Sequence, residues 1–153
     1  METQMELKTK HTYLFEEGTW SAHGNYFDAE NNDMEVKGES RIKHEKDQWH
    51  INSFMELQDA AKTRIKSTYV ISAMSSSDEY SFWESDNPDL GKLLGRFMIV
   101  GDSIMSMYQS ESRLYSGTEV LTKISDRKYL SKGFAFYGDE KLSSWEVTLE
   151  KVK

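Results

Sequence analysis

The sequence predicts an all-β protein, a single antiparallel up-and-down barrel of about ten strands. Three observations carry that expectation. Residues 33–45 alternate strictly: Asp33, Glu35, Lys37, Glu39, Arg41, Lys43 and Glu45 hold the odd positions, and Met34, Val36, Gly38, Ser40, Ile42 and His44 the even ones. A period of two marks a strand with one wet face and one enclosed face, whereas a helix would scatter those charges around its circumference. Turn signals then divide the chain into ten short runs, with no helical pattern long enough for a βαβ crossover. An even number of successive hairpins lets the first and last strands close antiparallel and removes exposed edges.

Taken in order, residues 1–14 are expected to form an arm or short helix that delivers Tyr13 and Leu14 to one barrel end, with the barrel domain over 15–153. The first strand sets Trp20, Ala22, Gly24 and Tyr26 on one face and Thr19, Ser21, His23 and Asn25 on the other. A turn over Ala29 to Asp33 would pair Trp20 with Ile42, Ala22 with Ser40 and Gly24 with Gly38. A two-residue turn at Lys46-Asp47 pairs Ile42 with Ile51, Ser40 with Ser53 and Gly38 with Met55. Phe54 breaks the outer polar pattern of that third strand. A turn near Ala60-Ala61 sets Ser53 opposite Ser67 and Ile51 opposite Tyr69, in a strand over Thr63–Ser72. A one-residue slip would turn the charged face inward, so the pattern specifies the register. Further strands are expected at Glu79–Glu84, Leu93–Val100, Ser103–Gln109, Leu114–Ile124, Tyr129–Tyr137 and Ser144–Val152. Ser85–Gly91 reads as a loop around Asn87-Pro88, and Gly101-Asp102 as a tight turn. Strands five to nine carry apolar residues on both faces, which leaves their inward face open.

Composition narrows the function. At 153 residues the chain makes one domain, able to bury roughly 70% of its unfolded surface. A net charge of −7 argues against nucleic acid and anionic membrane as partners. Met1 to Lys10 lacks the apolar core of a signal peptide, and no run approaches the ~18 apolar residues of a membrane span. With no cysteine there is no disulfide, thiolate metal site or cysteine nucleophile, which fits a cytoplasmic protein. The single proline, Pro88, leaves the ladders uninterrupted.

Gly18-Thr19-Trp20 at the head of the first strand, followed by an antiparallel meander over about residues 15–152, resembles the lipocalin-like (calycin) barrels. Their common mark is Gly-x-Trp, whose indole closes one barrel end. Ten strands resemble the fatty-acid-binding and nitrobindin-like branches more than the eight-stranded lipocalins. Two departures stand out. Fatty-acid-binding proteins insert a helical lid after the first strand, for which Ala29–Asn32 has no room. Nitrobindin-like proteins ligate haem through a late histidine, and the last histidine here is His50. The resemblance therefore implies the fold and neither branch's ligand, and no cofactor is expected.

The expected site follows from the pairings. Ala22, Ser40, Ser53 and Ser67 form one inner level between an apolar layer of Trp20, Ile42, Ile51 and Tyr69 and another of Val36, Met55 and Ile65. Small hydroxyl residues on four neighbouring strands leave space at mid-depth, unless large side chains of the far wall fill it. Arg96 lies between Leu94 and Met98, and Lys132 between Leu130 and Phe134; facing inward, each would suit a carboxylate or phosphate on a ligand, and facing outward each would snorkel. Met98, Met105 and Met107 with Tyr69, Tyr80 and Phe82 would give a soft lining, or ordinary core. His44 is the one histidine on an inward face, a rim residue or an acid–base group. The four histidines do not converge, and no metal set or catalytic constellation stands out. Asp28, Glu30, Asn32 and Glu39 copy calcium-loop spacing but put Asp33 where glycine is needed, so a solvated turn is expected. Gly91-Lys92-Leu93-Leu94-Gly95 lacks the residues of a phosphate loop.

The leading expectation is a non-catalytic binder of a small apolar or amphipathic molecule, with Trp20, Ser40, His44, Ser53, Ser67, Tyr69, Arg96 and Lys132 as its site. The alternatives are an enzyme with His44, Tyr69 or a buried carboxylate (Glu84 or Glu119) as proton carrier, and a packed barrel acting through protein contacts. Apolar residues such as Phe54 on the outer surface would also suit a homodimer contact.

Overall fold

The alternating runs pair as hairpins and wrap until the first strand meets the last. The computed structural model describes residues 10–75 and 77–152, and the arm or helix expected before residue 10 lies outside them. The strands are β1 (Gly18–Phe27), β2 (Asp33–His44), β3 (Gln48–Leu57), β4 (Arg64–Ser72), β5 (Tyr80–Asn87), β6 (Gly91–Val100), β7 (Ser103–Ser110), β8 (Tyr115–Ser125), β9 (Lys128–Tyr137) and β10 (Glu140–Lys151). All neighbours are antiparallel, and β1 pairs with both β2 and β10 to close the barrel. No helix among the described residues is long and apolar enough to cross a membrane.

The β2–β3 and β3–β4 registers follow the alternation as expected: Ser40 faces Ser53, Ser53 faces Ser67, and Ile51 faces Tyr69. The β1–β2 register differs from expectation by two residues, with Trp20 opposite Ser40 and Ala22 opposite Gly38. Asp28 causes the shift. Its Oδ1 accepts the backbone N–H groups of Glu30 and Asn32, both at 2.9 Å, and Asn31 takes a φ of 64°. These bonds close a three-residue loop ending in a left-handed residue, one step earlier than the expected turn. A shift of two keeps every side chain on its face. Strand β5 likewise outlasts its expected end, because Asn87 Oδ1 accepts the N–H groups of Asp89 and Leu90 and confines the loop to 88–90. Phe54, the outer exception, lies under the Arg64 guanidinium at 4.1 Å.

One barrel end is plugged by the segment before β1. Tyr13 and Leu14 are buried there, and Trp20 meets the edges of Tyr13 and Tyr129 at centroid distances of 5.2 and 5.6 Å. Polar bonds fasten the plug. Thr12 Oγ1 donates to the Asp126 carbonyl at 2.7 Å, and Thr12 N donates to Tyr129 Oη at 3.2 Å. His11 Nε2 lies 3.0 Å from the Gly101 carbonyl, which can only accept, so that nitrogen carries the proton. Nδ1 is then free to accept from the Tyr129 hydroxyl at 2.7 Å.

Burial holds the His11 pKa below its ordinary 6.5, with Lys123 acting the same way against the Gly101 bond and Asp102. Between the folded and unfolded pKa the unfolded chain binds more protons, so stability falls as pH drops below 6.5. On acidification from about pH 7.5 to about pH 5.5 the urea midpoint of the parent should therefore fall relative to that of His11→Gln. Equal slopes in the two proteins would remove His11 from the account.

Candidate functional site

Beyond the plug the barrel encloses a cavity of about 520 Å³. Its near wall is the serine level, where Ser40, Ser53 and Ser67 project from β2, β3 and β4 beside Ala22, Met55 and Ile65. The side chains of the far wall leave space at this level. Tyr13 forms the floor. Tyr26, Leu57, Leu90 and Tyr115 stand at the strand ends remote from the plug and frame the other end.

The far wall is aromatic, and glycines make room for it. Gly95, Gly117 and Gly133 face inward on β6, β8 and β9, each beside a ring from the neighbouring strand: Trp83, Tyr108 and Trp145. A side chain at any of the three would collide with that ring. Trp83 Nε1 donates to Ser106 Oγ at 3.1 Å. Trp145 reaches across Gly133 and donates from Nε1 to Glu119 Oε2 at 3.0 Å, and Ser131 Oγ donates to the same oxygen at 3.0 Å.

Glu119 is thus a carboxyl group inside an apolar barrel. Burial pushes its pKa up, against the lowering effect of the Ser131 and Trp145 bonds. Burial also pushes the Tyr13 and Tyr108 phenols up to about 12, and raises Tyr69 as well. These phenols stay neutral at ordinary pH and serve as hydrogen-bond groups rather than bases. Among the described residues the lining includes no Lys, Arg or His; its carboxyl groups are Glu119 and, at the rim, Asp89.

The expected site residues separate accordingly. Ser40, Ser53, Ser67 and Tyr69 come together on the cavity wall. Trp20 does not border the cavity, because Tyr13 stands over it. His44 lies at the plug end, stacked on Trp49 at 4.0 Å with Nε2 donating to the Leu14 carbonyl at 2.8 Å, and the corrected register puts Ile42 rather than His44 near Gly18. Arg96 and Lys132 point outward: Leu93, Gly95 and Phe97 are the inward residues of β6, and Lys132 lies 3.5 Å from Glu146 on the outer surface. Glu84 is also outside, 3.5 Å from Lys92. Of the expected soft lining only Tyr69 is inside. Tyr80, Met98 and Met105 align across β5, β6 and β7 on the outer face, with Phe82 and Met107 beside them at 55% and 62% exposure. Among the described residues no group of three or more His, Cys, Asp or Glu is gathered to hold a metal.

Sequence reasoning missed Trp83, Tyr108 and Trp145 as lining, and placed Glu119 only as one of two carboxylate options. The signal lay in the glycines, one inside each of β6, β8 and β9 in a chain with only 9.

No protein-family model matches the chain, and no curated protein matches it significantly. Among solved structures it is similar to the S-type phycobiliprotein lyase CPES from Guillardia theta, at 9% identity and a TM-score of 0.68, over 89% of this chain and 88% of that one. It is also similar to EF1p2_mFAP2b bound to DFHBI, at 9% identity and a TM-score of 0.50, over 93% and 98% of the two chains. At such identities the likeness concerns architecture, and the class it defines is the closed antiparallel β-barrel.

Proposed function

We propose that this barrel is a non-catalytic binding protein, of the lipocalin-like kind, for a small and largely apolar molecule held in its cavity. One observation carries the proposal: a space of about 520 Å³ in the middle of the fold. A space of this size with hydroxyl and carboxyl groups on its wall holds water or a ligand rather than a void. Its size lies within the roughly 300–1,000 Å³ of ligand pockets, and its mixture of rings and scattered hydroxyls fits an apolar body with a few polar anchors. The similar architecture of a barrel bound to DFHBI supports the same reading.

Nile red, an uncharged dye that brightens in apolar surroundings, should bind the purified protein. Ser53→Leu should abolish that binding while shifting stability by less than about 1 kcal/mol, since the new side chain enters space rather than a packed core. A parent protein that leaves the dye dark, with a Ser53→Leu variant clearly destabilised, would end the proposal.

A further inference from the structure

The polar groups of the cavity are asymmetric. Glu119 Oε2 accepts from both Ser131 and Trp145, whereas Oε1 has no hydrogen-bond partner among the described residues and belongs to a side chain that borders the cavity. Among the described residues no cationic side chain lines the space to answer it. Apart from Asn87 and Asp89 at the rim, the polar side chains facing Glu119 are mainly serine and tyrosine hydroxyls, which can accept as readily as donate. Trp83, Tyr69 and Tyr108 bring aromatic rings to the same lining, and aromatic rings attract cations and repel anions at their faces.

We infer that the cavity selects molecules whose apolar body carries an amine, bound as an ammonium with Glu119 Oε1 as its counter-ion. This rests on the binding function proposed above and specifies its ligand class. A buried, half-partnered carboxyl group gains most from a ligand that brings both a proton donor and a positive charge. A carboxylate ligand would bring a second carboxyl group to the depth of Glu119, with no Arg or Lys among the described lining residues to offset its charge. Tyr13, Tyr69 and Tyr108 face the same space as neutral phenols and Asp89 lies at the rim, so Glu119 is the ionisable group at this depth. Arg96 and Lys132, which would have served a fatty-acid type of ligand, both point away from the site.

Calorimetry with three matched probes (naphthylmethylamine, naphthylmethanol and naphthoic acid) tests this, beside Nile red fluorescence on the same samples. The parent should bind the amine at least about tenfold more tightly than either other probe. Glu119→Gln keeps the side-chain shape and an oxygen for Ser131 and Trp145, so it should still bind Nile red while losing the amine preference. The parent's own ranking of amine over acid is read without any variant, so a poorly folding substitution does not blunt the test. Nile red binding with naphthoic acid equal to the amine, or an amine preference that survives in Glu119→Gln, overturns the ligand class and leaves the cavity function standing. If neither Nile red nor any naphthalene binds, both fall together.

Discussion

Replacing Trp20 by alanine is expected to destabilise the protein by about 3–5 kcal/mol, the range for truncating a buried aromatic side chain. Trp20 is fully buried and is the base on which the plug rests, with Tyr13 and Tyr129 packed edge-on against it. Its removal takes the support from under Tyr13, the floor of the cavity, so dye binding should weaken with stability. A finer comparison separates ring volume from polarity. Trp20 Nε1 is buried without a hydrogen-bond partner among the described residues, and such a donor costs about 1–3 kcal/mol. Trp20→Phe deletes that donor while keeping most of the packing, so it should cost less than about 2 kcal/mol despite the smaller ring. Guanidinium unfolding of the two variants reads both numbers; a loss below about 1 kcal/mol for Trp20→Ala would show that this residue does not close the barrel.

The near wall was legible in the sequence because its chemistry is one-sided. Along β2 every outer position is charged, so only one face could turn inward, and the serine level followed from turn lengths alone. The exception, the β1–β2 register, turned on the Asp28 carboxylate and the left-handed Asn31, details that shift the turn without changing any face. The far wall was illegible because its inner positions look polar or empty. Glycine and serine alternate there with rings that lie across neighbouring strands, while Met98, Met105 and Met107 occupy the outside. A hydrophobic pattern assigns the richer face to the interior, and on β6 and β7 the outer face is as rich as the inner one. Arg96 followed its own strand outward for that reason. Glu119 shows the same limit from the other side: a carboxyl group on an inward position becomes intelligible only when Ser131 and Trp145, from two other strands, are seen to converge on it.

That convergence depends on the absence of a side chain at Gly133, and Gly133→Ala should therefore be disproportionately costly, by about 2–4 kcal/mol. The residue pairs with Glu119 on one side and Trp145 on the other, and the indole crosses directly above it. A methyl group there would sit 2.6 Å from Trp145 Cε2 and 2.8 Å from the Thr118 carbonyl oxygen. The backbone carbonyl can move little, so the ring must give way. Displacing it overpacks the wall and also strips Glu119 Oε2 of its Trp145 donor, leaving a buried carboxyl group with Ser131 alone. In exposed strands glycine to alanine is usually neutral or favourable, since alanine has less chain entropy to lose. The sign at this position therefore reports close contacts and not chain entropy. A double-mutant cycle with Trp145→Ala separates the ring from the carbonyl: once the indole is gone, the Thr118 contact keeps part of the cost, and the coupling of about 1–3 kcal/mol is the ring's share. Additive losses in the cycle would mean that Gly133 and Trp145 act independently, and that the row from Trp145 to Glu119 is not what holds the carboxyl group in place.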